Sequence, residues 1–199
     1  MSLNRGRFLN LPNYISVARI AAVPIIVLLM MLIKAPDDLS HYLWNRWVSF
    51  LTAVVYAFAS VSDMLDGFLA RRYKISSDAG KFFDPLADKL LNLSTLIMLV
   101  AIGRIPAWLV ILILSREMSI TMLRSVAASE GIVISASKWG KYKNAFGSFG
   151  TAFLILYYPW FGVKCALVGW PLLIVSVVFS LGSGIHYLSA FIKETRSKV

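Results

Sequence analysis

Six long apolar segments, separated by short polar ones, set the narrowest limit on how this chain can fold. They lie at approximately 13–34, 46–70, 82–103, 105–126, 144–163 and 165–191. A helix needs about twenty apolar residues to cross the hydrocarbon core of a bilayer. The sequence therefore predicts an all-α integral membrane protein, a bundle of six transmembrane helices forming one domain over residues 1–199.

The overall composition agrees with this prediction. Hydrophobic residues make up 58% of the chain, a larger apolar share than soluble domains have. Charged residues make up only 15%, and the mean hydropathy is +0.72. The lone cysteine, Cys165, can form no internal disulfide. Residues 2–12 mix arginine with phenylalanine and leucine, a pattern that predicts a short interfacial helix ahead of the first span.

Basic residues are distributed unevenly between the two ends of the predicted spans. One side collects Arg5, Arg7, Arg71, Arg72, Lys74, Lys81, Arg124, Lys138, Lys141, Lys143, Lys193, Arg196 and Lys198, and the other has Lys34, Arg46, Arg104 and Lys164. Because cytoplasmic loops are enriched in lysine and arginine, both termini are predicted to be cytoplasmic. Four tryptophans then mark the opposite face as an aromatic belt: Trp44, Trp47, Trp108 and Trp160.

Four aspartates lie where the second predicted span ends and the third begins. Asp63 and Asp66 are three residues apart, and Asp84 and Asp88 are four apart, so each pair lies on one face of a helix. A carboxylate deep in a bilayer costs roughly 2.5 kcal/mol or more unless it pairs, binds metal or faces water. The four groups predict a divalent metal site open to the cytoplasm. The alternative is a solvated acidic loop between two helices.

Cations surround the same cytoplasmic end. Three basic residues fall inside predicted spans, and three lysines precede the fifth span: Arg19, Lys89 and Arg116, then Lys138, Lys141 and Lys143. Carboxylates that hold metal, ringed by arginine and lysine, suit a ligand with several phosphates. The positive-inside rule alone could account for the lysines, and Arg19 could instead snorkel to the interface. Arg116 needs a partner, because its charge is costly within a span.

The residues around the aspartates match a known signature. The pattern D-x2-D-G-x2-A-R-x8-G-x3-D-x3-D is reproduced by Asp63, Asp66, Gly67, Ala70, Arg71, Gly80, Asp84 and Asp88. The chain thus resembles the CDP-alcohol phosphotransferase family. The flanking segments LNLPNYISVARI, GKFFDPLADKLL, SREMSITMLRSVAASEG and SKWGKYKNAFG resemble bacterial members that use glycerol 3-phosphate, over most of residues 9–150.

The resemblance implies a reaction and roles for individual residues. CDP-diacylglycerol and sn-glycerol 3-phosphate would give phosphatidylglycerophosphate and CMP, with two Mg2+ ions, or Mn2+ in their place, held by Asp63, Asp66, Asp84 and Asp88. Asp88 would also be the general base. The CDP-diacylglycerol site would contain Gly67, Ala70, Arg71 and Gly80. The acceptor phosphate would be held by Arg116, Lys138, Lys141 and Lys143, with Arg19 able to serve either substrate.

The resemblance also implies a bacterial inner-membrane location, a homodimer and no nucleic-acid partner. Gly147 and Thr151 form a small-xxx-small pair that could pack helices within one chain or between two copies. Inositol phosphate, serine or phosphatidylglycerol remain open as acceptors. A divalent-cation transporter is the alternative from another class, since acidic residues in a membrane bundle can also carry ions. That alternative leaves Arg71 and the ring of cations unexplained.

Overall fold

The computed structural model describes the backbone at residues 11–34, 39–73, 78–129 and 138–198, and the side chains at 18–34, 39–62, 86–129 and 142–194. Helices make up almost all of it: α1 (Leu11–Met31), α2 (Tyr42–Tyr73), α3 (Asp78–Ala101), α4 (Ala107–Ser129), α5 (Lys138–Leu156) and α6 (Cys165–Lys198). A short 3-10 helix, Leu39–His41, precedes α2. The predicted interfacial helix at 2–12 lies almost entirely outside the described residues.

Each of the six predicted apolar segments coincides with one of these helices, which confirms an all-α architecture. By length and apolarity alone, one helical segment in the described part of the chain qualifies as a membrane span. It is Cys165–Glu194 in α6, whose mean hydropathy is 2.2, and Ala18–Met31 is a shorter apolar helix. Six spans thus remain a prediction for the bundle.

The prediction for the fifth segment, 144–163, was wrong about where the helix ends. Helix α5 stops at Leu156 and is followed by a two-stranded antiparallel hairpin, β1 (Pro159–Trp160) and β2 (Val163–Lys164). Tyr157, Phe161 and Gly162 have φ angles of 56°, 50° and 79°, a left-handed conformation that a continuing helix cannot contain. Aromatic residues continue across this turn, and the sequence signals for it are the helix breakers Pro159 and Gly162.

The bundle has a hydrophobic core and also an apolar exterior. Its core is built from all six helices, with Ile26, Tyr56, Leu99, Leu109, Leu154 and Leu173 among its buried members. Large apolar side chains also face outward along the helices, including Leu28, Phe58, Ile111, Leu167 and Ile185, each at least 62% exposed. A soluble monomer rarely exposes so much apolar surface. This exterior is typical of a protein surrounded by lipid.

Helices α5 and α6 form the most intimate contact, because glycines let their backbones approach. A Cβ at Gly150 would lie 2.7 Å from the backbone nitrogen of Leu173, and one at Gly169 would lie 2.9 Å from that of Leu154. Gly147 faces the Ser176 hydroxyl in the same way, and Thr151 is buried. The small-residue pair of α5 therefore packs within the chain.

Arg104, between α3 and α4, closes the end of the bundle that carries the tryptophans. Its guanidinium donates to the carbonyls of Leu154 and Ile155 at the end of α5 and, at 2.7 Å, to the Ser49 hydroxyl of α2. It also lies 4.5 Å from the ring centroid of Tyr157. The last carbonyls of a helix lack partners within the helix, and a cation there is favoured by the helix dipole. Arg104 is thus a buried helix cap that joins α2 and α5.

Candidate active site

Asp88 is the one signature aspartate whose side chain lies within the described residues. It occupies α3, one turn before Asn92, whose amide nitrogen donates to the Asp88 Oδ1 at 3.0 Å and to the Asp88 backbone carbonyl at 3.1 Å. The Tyr56 hydroxyl of α2 donates to the Asn92 Oδ1 at 3.0 Å. The carboxylate is therefore tied to a second helix through two side chains.

The other signature residues are described by their backbone alone. Asp63, Asp66, Gly67, Ala70 and Arg71 are helical in α2, and Gly80 and Asp84 are helical in α3, so the predicted helical spacing of both aspartate pairs is present. Their side chains lie outside the described set. Among the side chains that are described, no three histidines, cysteines, aspartates or glutamates come together as a metal site. Convergence of the four carboxylates remains a prediction.

Lys143 brings α5 to the neighbourhood of Asp88. Its ammonium nitrogen lies 3.4 Å from the Glu117 Oε1 of α4, and the charges of Asp88 and Arg116 are near enough to act on it. The Ser176 hydroxyl of α6 donates to the Lys143 backbone carbonyl at 2.8 Å. Helices α3, α4 and α5 therefore place a carboxylate and three further charged groups in one region of the bundle.

Arg116 reaches α6 rather than its sequence neighbour. Its guanidinium donates to the Ser183 hydroxyl, and a Cβ at Gly184 would lie 3.3 Å from its Nε. That Nε is buried and has no hydrogen-bond partner in the described structure. Ser183 is therefore a partner of Arg116, which the sequence predicts to need one within its span. Because serine is neutral, the guanidinium keeps its positive charge available for an anion.

The remaining predicted cations are Arg19 and Lys89, inside predicted spans, and the lysines at the start of α5. Arg19 is 2% exposed and donates from its Nε to the Ala59 carbonyl of α2 at 3.3 Å, so the snorkelling alternative is wrong. Lys138 and Lys141 lie in the first turn of α5, with side chains outside the described residues. Lys89 donates to the Thr121 hydroxyl of α4 at 3.2 Å, which gives this cation a polar partner on the neighbouring helix.

Four contributors to this region were missed from the sequence: Tyr56, Asn92, Glu117 and Ser183. Asn92 had a usable signal, because it follows Asp88 by four residues and such pairs meet on a helix. Glu117 follows Arg116 directly in the sequence, but its partner is Lys143 on α5. Tyr56 and Ser183 arrive from other helices, and no local pattern indicates such a contact.

The fold and these side chains define a class of protein. A helical bundle with an apolar exterior, which gathers a carboxylate, a guanidinium and an ammonium group inside, is typical of a membrane enzyme acting on anionic substrates. The family model for CDP-alcohol phosphatidyltransferase matches residues 9–182. The chain belongs to this family.

Several bacterial relatives are similar over most of their length. A CDP-diacylglycerol--glycerol-3-phosphate 3-phosphatidyltransferase of Bacillus subtilis is 39% identical, covering 90% of this chain and 94% of the relative. The protein of that name from Rickettsia felis is 32% identical, covering 91% and 94%. A probable phosphatidylglycerophosphate synthase of Mycobacterium tuberculosis is 37% identical over 70% of this chain and 63% of its own.

Proposed function

We propose that this protein transfers the phosphatidyl group of CDP-diacylglycerol to sn-glycerol 3-phosphate and releases CMP. The observation that carries the proposal is that the charges of Asp88, from the family signature, and of Arg116, outside it, both act on Lys143. A base and fixed cations in one region suit an acceptor that has both a hydroxyl and a phosphate. Relatives at up to 39% identity bear the name of this activity. Family membership leaves the transporter alternative without support.

The reaction is a substitution at phosphorus. The acceptor hydroxyl oxygen bonds to the phosphorus that carries diacylglycerol, and the bond from that phosphorus to the oxygen of CMP breaks. Asp88 takes the hydroxyl proton, and CMP leaves with the bonding electron pair. Arg116 holds the acceptor phosphate, assisted by Lys138, Lys141 and Lys143, while Arg71 holds the CDP group against the helix at Gly67.

Mg2+ fits the proposed donor set, because aspartate oxygens are the hard ligands that this ion prefers. Asp63, Asp66, Asp84 and Asp88 would hold two such ions, and Mn2+ could replace them. When bound, the ions neutralise the pyrophosphate and stabilise the leaving CMP. The structural support lies in the helical placement of all four residues and in the tethered carboxylate of Asp88.

The membrane arrangement belongs to the same proposal. We place six spans in the bacterial inner membrane, with the N-terminal segment at the interface and both termini and the active site on the cytoplasmic side. The soluble acceptor would enter from the cytoplasm and the lipid from the bilayer. The side richer in lysine and arginine is placed in the cytoplasm, and Trp47 and Trp160, whose rings are 5.4 Å apart, lie at the end of the bundle opposite α5's lysines. A homodimer follows from the resemblance alone.

The acceptor is tested by measuring CMP release from CDP-diacylglycerol with a panel of acceptors. We expect glycerol 3-phosphate to give the highest kcat/KM, because it offers both a hydroxyl for Asp88 and a dianion for Arg116. Inositol phosphate, serine and phosphatidylglycerol are the competitors. A higher kcat/KM for any of these would overturn the acceptor assignment and leave the family assignment intact.

Arg116→Ala should impair use of the acceptor far more than use of CDP-diacylglycerol. Losing a charge-assisted contact with phosphate costs on the order of 1.5–3 kcal/mol, or roughly ten- to a hundredfold in acceptor kcat/KM. Arg116→Lys should also be impaired, because an ammonium cannot reproduce the two-pronged grip of a guanidinium. Lys138→Ala should show the same selective effect.

Steady-state kinetics with each substrate varied in turn will separate the two effects. Lys193→Ala is the matched control, because it removes an exposed cation near the end of α6 that has no place in the proposed site. An unchanged acceptor KM in both Arg116→Ala and Lys138→Ala would contradict the assignment of these cations.

A further inference from the structure

We propose that Asn92 and Tyr56 are positioning residues for Asp88, which fix the orientation of its carboxylate for proton removal from the acceptor. The inference rests on the proposed function, since it assigns to Asp88 the role of base. Neither residue belongs to the signature, and neither is placed against a substrate. They act through Asp88 by two successive hydrogen bonds, each 3.0 Å long.

The hydrogen bonds at Asn92 select one orientation of its amide. The nitrogen end faces two oxygens of Asp88, the Oδ1 at 3.0 Å and the backbone carbonyl at 3.1 Å. The amide oxygen accepts a hydrogen bond from the Tyr56 hydroxyl. If the amide rotated by 180°, its oxygen would face those two acceptors with no hydrogen between them. The tyrosine proton thus stabilises the orientation that serves the carboxylate.

Tyr56 is a firm anchor for this arrangement. Its side chain is 1% exposed and belongs to the hydrophobic core. The hydroxyls of Ser148 and Thr151, on α5, lie beside its own hydroxyl. This hydroxyl lies where α2, α3 and α5 meet. The relative positions of the three helices therefore fix the position of the Asp88 carboxylate.

Orientation matters because a base must lie within hydrogen-bond reach of the proton that it removes. A displacement of about 1 Å can lower a rate by roughly a hundredfold. Asp88 lies on a helix, and its two side-chain torsions would otherwise allow several carboxylate positions. An amide N–H on Oδ1 restricts them.

A purely structural polar network predicts something different. In that case loss of the tyrosine hydroxyl would lower stability or expression, while the surviving folded enzyme kept its normal kcat. Thr52→Val is the matched control, because Thr52 lies one turn before Tyr56 on the same helix, is fully buried and donates only along its own helix, to the Val48 carbonyl at 2.7 Å.

The experiment compares Tyr56→Phe, Asn92→Leu, the double variant and Thr52→Val, each purified in detergent as the full chain. At saturating Mg2+, Tyr56→Phe should lower kcat about two- to tenfold, as expected for a neutral hydrogen bond, and Asn92→Leu about ten- to a hundredfold, because its bond is to a charged group. The KM of both substrates should stay within twofold of wild type. The double variant should be no slower than Asn92→Leu, because Tyr56 acts through Asn92.

A second measurement does not depend on turnover. Electron paramagnetic resonance should show weaker Mn2+ binding in Tyr56→Phe and Asn92→Leu than in Thr52→Val, by about two- to tenfold, without either substrate. If kcat and Mn2+ affinity of Tyr56→Phe both match Thr52→Val, the proposal is overturned, even if Asn92→Leu does not fold. If wild type releases no CMP with any acceptor, the proposed function fails, and Mn2+ binding still decides the positioning role.

Discussion

Chelation with EDTA should abolish CMP release, and added Mg2+ or Mn2+ should restore it. The pyrophosphate of CDP-diacylglycerol gathers negative charge on its leaving group as the bond breaks, and cations placed beforehand stabilise that charge. Asp63→Asn and Asp84→Asn should have the same effect as the chelator. Removing one group that stabilises transition-state charge typically costs at least about a hundredfold in kcat.

The loss should be catalytic rather than structural. Taking a carboxylate out of a bilayer protein does not itself destabilise it, since the charged form is the costly one there. Both variants should therefore insert into membranes and keep a thermal midpoint close to that of wild type. Asp38→Asn, an aspartate in the connection between α1 and α2, is the matched control and should remain active. Undiminished turnover in a well-chelated assay would disprove the two-metal proposal.

The six helices could be predicted because long apolar segments have few ways to satisfy their backbone in lipid. Boundaries within an apolar stretch were harder to predict. At the end of α5 the chain turns through Tyr157, Pro159 and Gly162, within a run of aromatic residues that belongs to the same predicted apolar segment. Backbone conformation, which hydropathy does not report, ends this helix.

The site residues could be predicted from the sequence where their arrangement depends only on spacing along one helix. The aspartate pairs at three and four residues require only a helix to share a face, and α2 and α3 provide it. Contacts between helices were not readable. Tyr56 reaches Asn92 across 36 positions and Arg116 reaches Ser183 across 67, and nothing in either local sequence marks the other.

Arg19 and Arg104 show the same limit for cations. The sequence placed Arg19 inside a span, as a phosphate ligand or a snorkelling side chain, and Arg104 at a span end, yet both are buried, at 2% and 6% exposure. Each donates to backbone carbonyls of a neighbouring helix, Ala59 for one and Leu154 with Ile155 for the other. A carbonyl acceptor has no sequence signature, because every residue carries one. Only packing shows which arginine is used to join helices and which, like Arg116, keeps donor capacity for an anion.

Asp88→Asn should abolish product formation and leave much of the CDP-diacylglycerol binding intact. Asparagine has the same shape as aspartate and keeps an oxygen that can accept the Asn92 amide proton, so the local hydrogen bonds can persist. It cannot accept a proton from the acceptor hydroxyl. Loss of a general base typically costs roughly a hundred- to ten-thousandfold in kcat.

Binding distinguishes this role from that of the other aspartates. Provided Asp63, Asp66 and Asp84 still hold at least one metal ion, the pyrophosphate of the lipid keeps its main attachment. Equilibrium binding of CDP-diacylglycerol should therefore be weakened less in Asp88→Asn than in Asp63→Asn, although both are inactive. The comparison is matched, because each variant removes one negative charge from the same signature.

The neighbours of Asp88 sharpen the expectation. Lys143 lies near the Asp88 charge and pairs with Glu117 at 3.4 Å, so Asp88→Asn leaves that ammonium with a carboxylate partner and no unpaired buried charge is created. A loss of binding in Asp88→Asn thus cannot be assigned to a stranded lysine. If nucleotide-lipid binding falls as far as in Asp63→Asn, Asp88 serves mainly as a metal ligand, and another group must take the proton of the acceptor hydroxyl.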